Sequence, residues 1–369
     1  MKKSVFIKSA IALSVLALSS AADAAWFHRG AAGAGARGGF MAGHSMVAGS
    51  QGGFAARRTG AWRSANGAAG AGRVWGGRTA RGGHGGAGWG AHRDAAGNAT
   101  GRAGSRWTGP NGTHAVGSTT GYHNADGSAG VNHNYNLHGA NGGSYTGHTQ
   151  AQRNADGSGS ATASRQGSNG FSSNKNLTRD ASGNVNGSTQ KNFANGANVQ
   201  KAYTNTDGTK TYDVTRETAN GGTATKQYVK NANGTYTTTA TRTGANGGTI
   251  TTNGGGTAGN GALTNNRTTS YNSAYGVNGT RNVNLSAGNG SVARGVTGSG
   301  TVTGNSTTPG GATWQRASSG SAAAGQGANG TLTYGGTNAQ GQSGSQTVSG
   351  TVPAGGGQPV VTRTTSPNP

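Results

Sequence analysis

The sequence predicts an all-β repeat protein: an antiparallel β-meander or a two-layer β-solenoid with a 26–30-residue double-strand repeat, flanked by disordered Gly-rich segments. Three observations predict it. Turn glycines recur at near-constant spacing, the stretches between them are rich in Thr, Tyr, Val and Asn, and aliphatic residues are too scarce for a globular core.

Residues 1–24 read as a signal peptide. Lys2 and Lys3 precede a mostly apolar Val5–Leu18, and Ala22-Asp23-Ala24 offers a small-x-small cleavage site. The apolar stretch is too short for a membrane span, and no other long one follows. The chain is therefore expected to be secreted or held at a bacterial cell surface after cleavage near Ala24. It has no Cys, so neither disulfides nor thiol chemistry enter.

From Ala25 onward there are 17 Val, 1 Ile, 5 Leu and 5 Phe, or 28 of 345 residues. That is well below the roughly 20% at which a packed core becomes doubtful. Gly numbers 75, and each Gly adds to the entropy lost on ordering. Any fold must lean on backbone hydrogen bonds between repeated elements. The charge is lopsided: removing Lys2, Lys3, Lys8 and Asp23 from 30 basic and 8 acidic residues leaves 27 and 7, a net of about +20. Such a field attracts polyanions, and it also keeps a sticky chain soluble.

Residues 25–90 read as a disordered basic arm of low complexity, resembling RGG-type segments in composition. Arg29, Arg37, Arg57, Arg58, Arg63, Arg73, Arg78 and Arg81 interleave with Trp62, Trp75 and Trp89. Arg neutralises phosphate or carboxylate while Trp offers a stacking face, so these residues are the candidate polyanion-binding set. A flexible spacer would have the same composition.

Residues 91–254 hold the lattice. Glycines 97, 112, 127, 142, 157, 170, 183, 196, 208, 221, 234 and 247 are spaced by 15, 15, 15, 15, 13, 13, 13, 12, 13, 13 and 13. Most follow Asn or Asp: Asn111-Gly112, Asp126-Gly127, Asn141-Gly142, Asp156-Gly157, Asn195-Gly196, Asp207-Gly208, Asn220-Gly221, Asn233-Gly234 and Asn246-Gly247. Such pairs suit two-residue type I′ hairpin turns, where both residues take positive φ. A change from 15 to 13 keeps every side chain on its face, whereas the single 12 demands a bulge or a different turn. With a two-residue turn at Asn220-Gly221, Asp213 and Glu217 would share a face with Lys226 and Lys230. Residues 255–350 lose the register and allow irregular further strands; 351–369 read as a disordered tail.

Chemistry is sparse. Five of the seven mature acids lie in or beside turns, leaving no carboxylate pair for acid–base work. The nine His fall in the first half without metal-ligand spacing. No catalytic residue, metal site or cofactor is expected, and the chain is not expected to be an enzyme. The alternating Thr235, Thr237, Thr239, Thr241 and Thr243 resemble the Thr rows of ice-binding solenoids, and β-propensity explains them as well. Expected instead is a structural or adhesive repeat protein, an adhesin or extracellular-matrix scaffold. Its arm would grip acidic polysaccharide, lipopolysaccharide or extracellular DNA, and its polar strand edges would allow self-association into fibres. The alternative is an exported nucleic-acid-binding protein with the repeat as spacer.

Overall fold

The computed structural model describes residues 24–35, 38–49, 52–259, 262–289, 296–323, 326–355 and 357–366. Residues 1–23 of the expected signal peptide, Arg37 and the last three tail residues lie outside them. The described residues form strands and turns without helix. The chain divides into two compact units at Asn169 and Gly170.

The first unit contains β1 (Ala24–Gly35), β2 (Gly38–Gly49), β3 (Phe54–Ser64), β4 (Ala69–Arg78), β5 (His84–Arg93), β6 (Ala99–Thr108), β7 (His114–His123), β8 (Ala129–His138), β9 (Ser144–Arg153) and β10 (Gly159–Gly167). The second contains β11 (Ser172–Arg179), β12 (Val185–Asn192), β13 (Asn198–Thr206), β14 (Thr209–Glu217), β15 (Thr223–Lys230), β16 (Thr235–Thr243) and β17 (Thr249–Gly259). It continues with β18 (Ala262–Asn272), β19 (Asn278–Asn289), β20 (Val296–Thr307), β21 (Thr313–Ala323), β22 (Gly327–Thr337), β23 (Ser343–Val352) and β24 (Val360–Ser366). Within each unit every strand pairs antiparallel with the next in sequence. This is the meander; a solenoid would pair each strand with the one two further on.

The ladder reaches beyond residues 91–254. β1–β5 occupy residues 24–93, where the composition suggested a disordered arm, and β18–β24 run from Ala262 to Ser366. The turn glycines show why. Gly52, Gly67 and Gly82 also hold positive φ, at 83°, 88° and 87°, so the 15-residue spacing extends back from Gly97 to Gly52.

Most turns are not type I′. In Asp94–Asn98 the Asp94 N–H donates to the Asn98 carbonyl at 2.8 Å and the Gly97 N–H donates to the Asp94 carbonyl at 3.2 Å. The loop is three residues long and closes on a left-handed glycine, with φ of 96° at Gly97. The same two-bond pattern recurs at Asn124–Ser128, Gly139–Gly143, Thr218–Gly222 and Gly244–Gly248, among others. The residue before the glycine therefore does not need positive φ. Its side chain instead accepts from the N–H two residues on: Asp126 from Ser128 at 2.8 Å, Asp156 from Ser158 at 2.8 Å, Asn195 from Ala197 at 3.1 Å and Asn233 from Thr235 at 3.0 Å. Among the described turns Asp207-Gly208 is the exception. Both residues are left-handed and Thr206 pairs directly with Thr209, which accounts for the spacing of 12.

The third loop residue shifts the register. Glu217 pairs with Thr223, Asp213 with Gln227, and Lys226 with Val214. Asp213 and Glu217 thus lie on the face opposite Lys226 and Lys230, and the expected acid–lysine pairing does not form.

No hydrophobic side chain among the described residues is buried. Ladder hydrogen bonds and cross-strand contacts hold the sheet, and its glycines take part. The Trp62 indole fills the space a Cβ on Gly70 would need, with Nε1 2.5 Å from that position, and Tyr122 does the same over Gly130. Tyr135 over Gly147, Tyr271 over Gly279 and Leu285 over Gly300 repeat the arrangement. Each large side chain covers the backbone of the neighbouring strand, contributing on the order of 0.2–1 kcal/mol.

Candidate polyanion-binding surfaces

Strand alternation divides the sequence-predicted set. Arg57, Arg63, Arg73, Trp75 and Trp89 project from one face of β3–β5, and Arg58, Arg78 and Trp62 from the other. On the first face Arg57 stands directly opposite Trp75, and Arg73 directly opposite Trp89. Both indoles are well exposed, so each pair couples a cation to an uncovered aromatic plane. Arg81 lies in the turn between β4 and β5, and Arg29 lies opposite His44 in the β1–β2 register.

The second face of this unit is concave. It bounds a cavity of about 1490 Å³, with lining contributed by nine strands, β1 to β9. A central band of Ala31, Ala42, Gly60, Gly72 and Gly90 leaves room there. Around it stand His44, Arg58, Trp62, His92, Arg102 and Tyr122, with Asn132, Gln150 and Gln152 beyond, and no lining residue is Asp or Glu. The Trp62 and His92 rings are 5.5 Å apart. Such a trough can accept an anionic chain bearing flat rings, through cations, stacking faces and amide donors.

The second unit carries a larger basic surface that the sequence reading missed. Followed through the register, Lys175, Arg179, Lys191, Lys201, Lys210, Arg216, Lys226, Lys230, Arg242, Arg267, Arg281, Arg316 and Arg363 all fall on one face. These thirteen are all the Lys and Arg of its described strands. One row across the sheet reads Lys191, Val199, Arg216, Ala224, Arg242, Ile250, Tyr271. Tyr203, Tyr212 and Tyr228 are adjacent in another row, and Tyr228 and Tyr236 have ring centroids 6.2 Å apart. The opposite face is built almost wholly of Thr, Ser, Asn and Gln, together with Asp213 and Glu217.

The signal for this segregation was the alternation within strands, as in Lys210-Thr211-Tyr212-Asp213-Val214-Thr215-Arg216. Its reading depends on parity. Three-residue loops keep odd positions with odd ones, whereas the two-residue turn at Asp207-Gly208 exchanges them, so that Thr204 meets Thr211 and Lys201 meets Val214, and the β17–β18, β19–β20 and β23–β24 pairings exchange them again. A three-residue loop there would scatter the cations over both faces.

The acids serve the turns. Hydrogen bonding from the Asn98 side chain, with backbone N–H groups adding to it, holds the Asp94 carboxyl below its ordinary value. Asn98 N and Nδ2 lie 2.8 and 2.9 Å from its two oxygens. Asp180 is lowered in the same way by Asn184, and Asp126 and Asp156 by Ser128 and Ser158. No group of three or more metal-ligating side chains occurs among the described residues. No helix long and apolar enough to cross a membrane occurs among the described residues, which says nothing of spanning by strands. No protein-family model matches the chain, and no curated protein or solved structure is detectably similar to it.

Proposed function

We propose that this is an exported, non-enzymatic structural or adhesive repeat protein that holds polyanionic surfaces through the basic, aromatic faces of its sheet. The supporting observation is the collection of thirteen strand cations on one face of the second unit. Cations two strands apart, such as Arg216 and Arg242, recur at about 9–10 Å. A long anionic polymer can engage many of them at once, so weak single contacts sum to firm adhesion. Acidic polysaccharide, lipopolysaccharide and extracellular DNA all present such repeating charge.

The paired Arg57–Trp75 and Arg73–Trp89 favour a second reading, capture of nucleic acid, because exposed indoles stack on bases. In that case the remaining strands act as a spacer.

Titrating the mature chain against a uronic-acid polysaccharide, lipopolysaccharide and single-stranded DNA over a range of salt tests both readings. Adhesion through the basic face requires binding to all three polymers, falling steeply with salt. Reversing Arg216, Arg242 and Arg281 to Glu should then weaken every polymer alike. Binding confined to DNA and untouched by those reversals selects the second reading, and absence of binding at low salt removes both.

A further inference from the structure

We infer that the hydroxyl–amide face of the second unit is a docking surface for a second copy of this chain, giving a double layer with both basic faces outward. The inference rests on the adhesive reading only for its purpose; the contact itself follows from three properties of the face. First, it is free of strand Lys and Arg and of aromatic residues, while the reverse face holds thirteen cations. Two basic faces repel one another; the hydroxyl–amide face carries only Asp213 and Glu217 as charged strand residues, so two such faces repel far less.

Second, its polar side chains already bond laterally. Asn192 donates to Ser172 at 3.0 Å, Thr280 to Asn305 at 2.9 Å, and Ser286 and Ser299 share a bond at 2.9 Å. Thr333–Thr347 and Thr337–Ser343 do likewise at 3.0 and 2.8 Å. Groups satisfied within their own face lose less when water is removed, and short hydroxyl and amide side chains interdigitate between stacked sheets. Third, the area suffices. Fourteen strands about 4.8 Å apart and about 30 Å long present on the order of 2000 Å², against about 800 Å² per partner in a standard interface.

Edge-to-edge pairing of strands would instead make a ribbon one sheet thick. Sedimentation velocity and solution scattering on the full mature chain, without polyanion, separate the two. The expected result is concentration-dependent dimerisation and a cross-section of two sheets about 10 Å apart. Thr239 and Thr303 are exposed on the docking face and share one row across the sheet. T239K/T303K should abolish the dimer, and T239S/T303S should keep it. The same charge added to the reverse face in T238K/T252K should leave it intact. Circular dichroism confirms that each variant retains its sheet. A monomeric wild-type chain, a one-sheet cross-section, or a T239K/T303K chain that dimerises normally would overturn the inference. Polyanion binding measured on the same samples reports separately on the function, because neither Thr239 nor Thr303 lies on the basic face.

Discussion

Asp207 and Gly208 hold φ of 49° and 81°, and Asp207 is the only non-glycine residue at positive φ among those described. Together they form a two-residue loop that exchanges odd and even positions between β13 and β14, and so keep Thr204 with Thr211 on the hydroxyl–amide face. Asp tolerates this conformation because its short polar side chain bonds locally; a β-branched residue does not. Asp207→Val should lower stability by about 1–2 kcal/mol, seen as a lower urea midpoint, while Asp207→Asn should be nearly neutral. Equal midpoints for the two variants would show that the turn is not left-handed in solution.

The contact between Trp62 and Gly70 yields a second expectation. A methyl at Gly70 would lie 2.5 Å from the indole Nε1 and 2.8 Å from Cε2, so Gly70→Ala must displace the ring. Trp62→Ala should cost about 1 kcal/mol by removing the cross-strand contact. After that loss Gly70→Ala should cost little, since nothing remains to displace. A double-mutant cycle in urea measures the coupling. Strict additivity would mean that the indole does not rest on the glycine.

The turn lattice was legible in the sequence because a left-handed loop position accepts few residue types, and glycine marks it at each repeat. Turn type was less legible. Asp126 and Asp207 both precede a glycine, yet Asp126 bonds the Ser128 N–H from a three-residue loop while Asp207 is itself left-handed in a two-residue one. One residue of loop length decides which face every following side chain occupies. The pairing of Asp213 and Glu217 with Lys226 and Lys230 failed on that single residue, and the basic face stayed hidden with it. β3–β5 were missed for another reason. Their Gly, Ala and Arg have weak β-propensity, and the strands are held by partners such as Trp62 over Gly70 and Trp107 over Gly85, which local composition does not reveal.

Arg73 and Trp89 stand opposite one another on β4 and β5, and their substitutions should have different signatures. Arg73→Ala should weaken binding to DNA and to acidic polysaccharide alike and reduce the salt slope by about 0.7–0.9 per lost contact with a nucleic-acid phosphate. Trp89→Ala should leave the slope unchanged and cost about 1–3 kcal/mol on single-stranded DNA, where stacking is available. Anisotropy titrations with both polymers distinguish the two. Identical slopes for wild type and Arg73→Ala would take that arginine out of the site.

Acid should loosen the turns before the ladder. Asp94 and Asp180 are held below their ordinary value chiefly by the side chains of Asn98 and Asn184, so their carboxylates are favoured in the folded state. A depressed folded pKa gives stabilisation that is complete above the unfolded value of about 3.9 and is lost as pH falls through the folded one. Each turn is also tied to another: Asn98 Oδ1 accepts from the Ala125 N–H and Asn184 Oδ1 from the Asp207 N–H, both at 2.9 Å. Protonating the aspartate removes an acceptor for the Asn side chain and frees that bridge. Protection of the Gly97 and Ala125 amides, relative to the intrinsic exchange rate at each pH, should therefore fall together as the pH drops below about 4, while amides in mid-β7 stay protected. Asn98→Ala should move the Asp94 titration upward toward the ordinary aspartate range and speed exchange at Ala125 even at neutral pH. A titration unchanged by Asn98→Ala would assign the depression to the backbone N–H groups of the loop alone.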